Sequence, residues 1–364
     1  MARTVLVVSL AALVVAGVAN ADAQRAEVVS VAADGSGPLT LATAADALES
    51  PTFSSDGRTV AFIHDYRGVE VVATDGTGIR SLDEIVTSTY YASVLTAVWA
   101  PDGKTLVASA YGYPMGGDPR IAASQLFTFD VATGAVTSRH LGRYVSFARD
   151  GRYIVYQTES SGPDAARDTI GVYRPDGSHD TPFGPGSYAA WSPVADRVAY
   201  VTRPGYLTIS GPAGQARWTL RAMKAGPIGW FPDGRTIAFD HVGARPALFL
   251  VSPGSQRVHR LVDLPTATSG SSPSVSVSHD GRWIAVSYEE LTFVVRRDGR
   301  GLQVLPATAA VWSPRATVLA LVSGNHLSIW KPGEGPSSVY TGRTLLTEPS
   351  WSPDGTRIVL VDTE

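Results

Sequence analysis

The chain of 364 residues contains no cysteine. This absence excludes disulfides, thiolate metal ligands, a cysteine nucleophile and a lipidated N-terminal cysteine. Charged residues make up 17% of the chain and sum to a net charge of -3, so the basic surplus typical of nucleic-acid binding is missing. Turn formers are abundant instead. The 36 glycines and 24 prolines favour many short strands over long charged helices.

Long hydrophobic runs are also missing beyond the N-terminus, where an apolar run over residues 5–18 follows a basic residue and precedes small residues. The run is roughly 14 residues long, whereas a membrane-spanning helix needs ~20. We interpret residues 1–23 as a signal peptide cleaved near Ala21 or Ala23, with an uncleaved membrane anchor as the alternative. Residues 24–364 are then expected to form a single domain, secreted or periplasmic, without membrane insertion.

One sequence pattern recurs along the chain: an apolar residue, a short turn with Pro or Ser and Asp-Gly, and a β-rich stretch. Eight copies occur, with starts at Phe53, Trp99, Phe147, Trp191, Trp230, Val277, Trp312 and Trp351; the copies at Trp191 and Trp312 lack the Asp-Gly pair. In the turn, Pro fixes φ, Asp bonds its own backbone and Gly accepts positive φ, so the chain reverses between two strands. The mean spacing of about 43 residues is the length of one four-stranded propeller blade.

The copy at Trp351 is incomplete, because about ten residues follow its Asp-Gly turn and supply only one more strand. Residues 27–31 and 39–41 have the sequence of later blade strands without a beginning. We therefore predict an all-β propeller of eight four-stranded blades, closed by N-terminal strands that join the C-terminal blade. Seven blades are the alternative, because the step from Val277 to Trp312 is short. Residues 44–49 are a candidate helical turn.

The string WSPDGTRIVLV from Trp351, with its relatives along the chain, resembles the WD40-like repeats of TolB-type propellers. Similar repeats occur in the propeller domains of dipeptidyl peptidases and tricorn-type proteases. The resemblance implies the fold. About 30 residues separate the expected cleavage site from the first repeat, so the N-terminal α/β domain of TolB and its partner binding are not implied. No G-x-S-x-G elbow is found, so peptidase activity is not implied either.

Signatures of other chemistry are absent from the sequence as well. It has no P-loop, no dinucleotide-binding G-x-G-x-x-G before a helix, no H-E-x-x-H and no EF-hand loop. The glycine-rich residues 112–119 are interpreted as a long surface loop rather than a nucleotide site. The Asp-Gly pairs are interpreted as turns rather than calcium ligands, and the repeated tryptophans as inter-blade packing rather than sugar platforms. No cofactor and no metal site are predicted.

Repeat phase assigns the connections between strands to two faces of the disc. If the strand before each Asp-Gly turn is innermost, those turns share one face, here called the turn face. The connections after the next strand, and those between blades, share the other, here called the loop face. Side chains of the turn face are chosen by backbone geometry, whereas those of the loop face are not. Candidate ligand contacts on the loop face are His64, Tyr113, Arg120, Asp240, His241 and Arg245.

These features favour a binding or scaffold module for a protein, peptide or glycan, monomeric and without nucleic acid as a partner. The alternative from another class is an extracellular carbohydrate-active enzyme, a polysaccharide lyase or glycoside hydrolase, that works from the mouth of the central channel. No catalytic residue is assigned, because general acid and base roles require distances. The composition of the loop face is equally that of ordinary polar loops.

Overall fold

The computed structural model describes residues 25–82, 85, 90–114, 123–158, 169–241, 246–265 and 273–364. These residues form 32 strands and no helix, so no described segment is a helix that could cross a membrane. The predicted signal peptide and cleavage sites lie outside the described residues.

The strands are grouped in eight four-stranded antiparallel sheets. The two N-terminal strands are β1 (Ala26–Ala32) and β2 (Leu39–Ala44). Blades 1 to 3 comprise β3 (Leu48–Phe53), β4 (Thr59–His64), β5 (Gly68–Ala73) and β6 (Arg80–Ser81); β7 (Tyr90–Trp99), β8 (Thr105–Pro114), β9 (Ala123–Asp130) and β10 (Val136–Leu141); and β11 (Arg143–Phe147), β12 (Ile154–Gln157), β13 (Ile170–Tyr173) and β14 (Thr181–Gly184).

Blades 4 to 6 comprise β15 (Gly186–Trp191), β16 (Val198–Thr202), β17 (Leu207–Ser210) and β18 (Ala216–Thr219); β19 (Ile228–Trp230), β20 (Ile237–Asp240), β21 (Ala247–Val251) and β22 (Val258–Asp263); and β23 (Ser274–Val277), β24 (Trp283–Tyr288), β25 (Leu291–Arg296) and β26 (Gln303–Pro306). Blade 7 comprises β27 (Ala309–Trp312), β28 (Leu319–Ser323), β29 (His326–Trp330) and β30 (Ser337–Thr341). The last strands are β31 (Leu345–Trp351) and β32 (Arg357–Thr363).

Blade 8 joins the two ends of the chain in the order β2-β1-β32-β31. Strand β1 pairs with β32 along its whole length, from Ala26 opposite Thr363 to Ala32 opposite Arg357. The Arg357 guanidinium also donates to the Ser30 carbonyl at 2.8 Å. The prediction of eight blades closed by the N-terminal strands is confirmed, and the seven-blade alternative is wrong. The helical turn at residues 44–49 is wrong as well, because β3 begins at Leu48.

The strands that precede the Asp-Gly turns are the innermost strands. Strand β3 contacts β7 and β31, and the first strands of blades 3 to 8 contact one another in the same way, whereas β11 contacts β8 and β9 of blade 2. The repeat phase therefore assigned the two faces correctly: Asp-Gly turns lie on the turn face, and connections between second and third strands lie on the loop face. Gly57 shows how the turns meet, because it has φ 72° and packs beside Pro353 of the preceding blade.

The seams between blades hold the hydrophobic core. Each cluster of buried residues draws on neighbouring blades, for example Val28, Phe62 and Val359 between blades 8 and 1. Trp99 Nε1 donates to the Thr52 carbonyl of the blade before it at 3.1 Å. The same bond recurs at Trp191, Trp230 and Trp351, so these tryptophans pack between blades, as predicted.

Candidate functional site

The innermost strands are irregular at one level near the loop face. Register shifts interrupt β3, β11, β15 and β31 there. Within each irregularity one residue that is not glycine has a left-handed backbone: Ser50, Tyr144, Tyr188 and Glu348, with φ between 50° and 55°. Glycine would adopt this conformation at lower cost. Backbone geometry alone therefore does not account for tyrosine and glutamate at this level of the channel.

Glu348 is hydrogen-bonded to a neighbouring blade at this level. The Ser50 N–H of blade 1 donates to the Glu348 carboxylate of blade 8. The Ser50 hydroxyl in turn donates to the Leu95 carbonyl of blade 2 at 3.4 Å. The irregular level thus links three adjacent blades. Part of the Glu348 side chain nevertheless remains exposed toward a cleft, although the carboxyl group itself is partly buried.

This cleft has a volume of about 710 Å³ and opens on the loop face between blades 7, 8 and 1. Glu49, Glu348 and Asp46 contribute carboxyl groups to its lining, together with the Tyr66 ring. Arg25 lies at its edge and pairs with the buried Glu27 at 3.1 Å. The cleft therefore presents negative charge and an aromatic ring at the mouth of the central channel. We call it the acidic cleft.

The environment of the acidic cleft shifts the pKa values of the groups that line it. Burial raises the pKa of Glu49, and the nearby charge of Glu348 raises it further. Burial also raises the pKa of Glu348, although the hydrogen bond from Ser50 opposes this. Hydrogen bonding to Glu49 raises the pKa of the Tyr66 hydroxyl to about 12. These two carboxyl groups share one cleft and have lost part of their hydration. A bound cation would therefore stabilise the ionised form of both.

A second group of side chains lies two blades from blade 1, in blade 3. The Arg143 guanidinium stacks over the Tyr144 ring, with 4.0 Å between its central carbon and the ring centroid. Burial lowers the pKa of Arg143, while the charges on Tyr144 and Tyr111 act in the opposite direction. Tyr188 packs against the hydrophobic cluster between blades 4 and 5. Arg143, Tyr144 and Tyr188 belong to innermost strands.

The candidate residues chosen from the sequence are only partly described. His64 ends β4 on the loop face, and its Nδ1 lies 3.1 Å from Glu70 Oε1 of the same blade. Asp240 ends β20 in blade 5, and His241 follows it, with Nδ1 2.8 Å from the Lys224 carbonyl. His64 is therefore separated from this pair by the width of the ring. Arg120, Arg245 and the side chain of Tyr113 lie outside the described residues.

Asp240 is buried, with 4% of its surface exposed. Burial raises the pKa of this carboxyl group, and the Tyr288 hydroxyl and the charge of His241 partly offset the effect. Within the described part of the chain, neither Asp240 Oδ1 nor Tyr288 Oη has a hydrogen-bond partner of normal geometry. Asp240 lies at the seam between blades 5 and 6. It is a buried polar residue at that seam, beside the Tyr288 hydroxyl of blade 6.

The candidate contacts chosen from the sequence do not include Glu49, Glu348 or Tyr66, so sequence reasoning missed the cleft that these residues share. Glu49 belongs to an innermost strand, where alternation predicts a residue of the fold rather than of the site. The one available signal was the pair of equivalent tripeptides Glu49-Ser50-Pro51 and Thr347-Glu348-Pro349, which interrupt two strands at the same repeat phase. Among the residues that the structure describes, no group of three histidine, aspartate or glutamate side chains could hold a metal ion.

No protein-family model matches the chain, and no curated protein matches it. Solved structures do. An oligogalacturonate lyase in complex with manganese is similar at 12% identity and a TM-score of 0.54, over 93% of this chain and 97% of that one. The Cps50 (Swd1) β-propeller domain of Myceliophteria thermophila is similar at 12% identity and a TM-score of 0.52, over 79% and 97%.

A structure described as a putative TolB from Agrobacterium tumefaciens is similar at 13% identity and a TM-score of 0.43, over 94% of this chain and 99% of that one. The neighbour with a TM-score of 0.52 is a β-propeller domain, in agreement with the fold that the repeats suggested. At these identities the likeness concerns the fold alone.

Proposed function

We propose that the chain is an extracytoplasmic binding module, secreted or periplasmic, whose acidic cleft holds a cationic group of a protein, peptide or glycan ligand. The observation that carries this proposal is the convergence of Glu49 and Glu348, from two different blades, on one open cleft beside Tyr66. A primary amine or guanidinium would pair with both carboxylates, and its alkyl stem or charge would lie against the aromatic ring.

The backbone of the site supports a role in binding. The left-handed residues Ser50 and Glu348 hold the two strands in the positions that bring the carboxyl groups together. Rigid strands position side chains more accurately than loops do. A ligand held there also contacts the surrounding loop face, where Tyr144 and Arg143 offer a second polar and aromatic surface. Such a combination is typical of recognition surfaces.

Calorimetric titration with tetralysine, and with tetraglutamate as the probe of opposite charge, tests the proposal. The double variant Glu49→Gln/Glu348→Gln should weaken tetralysine binding at least tenfold, which corresponds to about 1.4 kcal/mol. The matched control is Glu334→Gln, which removes one exposed carboxylate from the turn face of blade 7. Equal loss in the control would mean that general charge, and not the acidic cleft, attracts the peptide.

A carbohydrate-active enzyme is the second candidate. Two observations favour it: carboxyl groups with raised pKa occur in one cleft, and a propeller that is similar in fold is an oligogalacturonate lyase. Paired carboxyl groups are the usual acid and base of glycoside hydrolysis. A screen of acidic and neutral polysaccharides for products, with and without added divalent metal, tests this candidate. Product formation that Glu49→Gln or Glu348→Gln abolishes would favour the enzyme over the binding module.

The remaining parts of the proposal concern the molecule in its compartment. Residues 1–23 are proposed to be removed on export, so that the mature chain is a monomer without membrane insertion. A periplasmic or secreted location agrees with a chain that contains no cysteine and relies on its hydrophobic seams for stability. His64, Tyr113, Arg120, Asp240, His241 and Arg245 remain proposed loop-face contacts.

A further inference from the structure

A second cleft lies on the turn face of blade 6, remote from the acidic cleft. It has a volume of about 610 Å³ and is open to solvent. Trp283 and Arg282 line it together with Arg296, Asp280 and Asp298. We call it the Arg-Trp cleft.

The Trp283 ring is held in a fixed position. It packs edge-to-face on the buried Trp330, with 5.3 Å between the ring centroids and 79° between the planes. Trp330 Nε1 is itself fixed by a hydrogen bond to Gln303 Oε1 at 2.8 Å. Gly301 follows in the next turn, and a Cβ atom there would lie 3.5 Å from Trp283 and 3.6 Å from Arg296. The Gly301 backbone, at φ 65°, therefore lies beside both the ring and the arginine.

Arg282 is the most accessible cation of the Arg-Trp cleft, with 81% of its side chain exposed. Its nearest carboxylate, Asp280, lies 3.9 Å away and is already occupied by the Thr317 and Ser278 hydroxyls at 2.6 and 2.7 Å. Arg296 lies 3.0 Å from Asp298 and is 53% exposed. Both guanidinium groups therefore retain donors that face solvent.

Arg297 has a different role, although it also lines the cleft. It crosses to blade 5, where it donates to the Thr236 hydroxyl at 2.7 Å and stacks on the Phe231 ring at 4.4 Å. Arg297 therefore stabilises the seam between the two blades and is not counted among the ligand contacts.

The surroundings of the Arg-Trp cleft are basic, although the whole chain carries a net negative charge. The turn-face ends of blades 5 and 6 carry twice as many arginines as aspartates: Arg235, Arg257, Arg282, Arg296, Arg297 and Arg300 against Asp233, Asp280 and Asp298. Such local charge attracts an anion and raises its rate of association.

We propose that the Arg-Trp cleft binds an acidic sugar unit of an anionic glycan, a function beyond the one proposed for the loop face. Guanidinium groups pair with carboxylate or sulfate in a planar, two-point geometry. The apolar C–H face of a sugar ring packs on an indole ring. Trp283 lines the cleft together with Arg282 and Arg296, so a single sugar unit can contact the ring and a guanidinium group at once.

The experiment titrates the exported protein with a hyaluronan tetrasaccharide, which carries glucuronate, and with neutral maltotetraose, by calorimetry at low and moderate salt. We expect binding of the acidic sugar only. Arg282→Gln/Arg296→Gln should weaken it at least tenfold, and so should Trp283→Thr, which introduces the residue found at the same repeat position in blades 1 and 2. Folding of each variant is checked by its unfolding midpoint.

Arg58→Gln is the matched control, because Arg58 occupies the same position after the Asp-Gly turn of blade 1. It should leave hyaluronan binding unchanged, and so should Glu49→Gln/Glu348→Gln in the acidic cleft. Four results would overturn the proposal: no binding of the acidic tetrasaccharide, equal binding of maltotetraose, equal weakening by Arg58→Gln, or equally tight binding of oligodeoxythymidylate or anionic phosphatidylglycerol vesicles.

Discussion

Strand β1 closes the ring, so shortening a single buried valine within it should destabilise the whole propeller. Val28 is fully buried at the seam with blade 1, whereas Val29 and Val31 are buried at the seam with blade 7. A valine-to-alanine change removes two methyl groups, worth about 1.6 kcal/mol of transfer free energy, and leaves a cavity that brings the total to about 2–3 kcal/mol. Val28→Ala and Val31→Ala should each reach this magnitude.

Guanidinium unfolding of these variants measures the effect as a lower midpoint at unchanged slope. Thr43→Ala is the control, because Thr43 is exposed on β2, and its effect should stay within about 0.5 kcal/mol. Deletion of residues 25–44 would remove the buried side chains of three valines and one leucine, worth roughly 6–12 kcal/mol together. That equals the whole stability of a typical domain. Midpoints of Val28→Ala and Val31→Ala equal to that of Thr43→Ala would refute closure by β1.

Three further predictions concern the pH dependence of stability, a hydrogen bond between blades and the N-terminus of the exported protein. Glu49 and Glu348 have raised pKa values in the fold, so the folded state holds their protons more tightly than the unfolded state, and stability from these groups is lost as the pH rises above about 4.5, the usual glutamate pKa. The double variant Glu49→Gln/Glu348→Gln should therefore raise the melting temperature at pH 7 more than at pH 4. An equal change at both pH values would contradict the cause given for the pKa shifts. Trp351→Phe keeps an aromatic ring but leaves the Val311 carbonyl without its donor, which should cost about 1–3 kcal/mol by denaturant unfolding, and a neutral change would mean that the bond carries no stability. Mass spectrometry of exported protein should find a mature N-terminus at Asp22 or Gln24, whereas an intact Met1 in a membrane fraction would favour the anchor.

The number of blades and the order of strands were predictable because the same turn residues, followed by a β-rich stretch, recur along the chain. Each Asp-Gly turn needs the same capping aspartate and the same glycine, as at Asp56 and Gly57, where Asp56 accepts the Arg58 N–H at 3.1 Å. Closure was predictable because a blade cannot remain with two strands. The helical turn at residues 44–49 was predicted wrongly, because Leu48 pairs with His64 of β4, so that strand β3 already begins at Leu48.

The site was less accessible to sequence reasoning. Repeat phase assigned His64, Asp240 and His241 to the correct face, but it contains no information on distance around the ring. The acidic cleft depends on an irregularity that shifts one strand against its neighbour at Ser50 and at Glu348. Such a shift leaves no periodic signal, because it breaks the alternation from which strand faces are inferred. Only the coordinates bring Glu49 and Glu348 together.

The most direct test of the acidic cleft is carbon NMR of the glutamate side-chain carboxyl groups during titration with tetralysine. A bound cation stabilises the ionised carboxylate, so the signals of Glu49 and Glu348 should shift together and their pKa values should fall, while Glu334 on the turn face stays unchanged. The account would be contradicted if Glu49 and Glu348 kept their shifts and pKa values at peptide concentrations that saturate the protein.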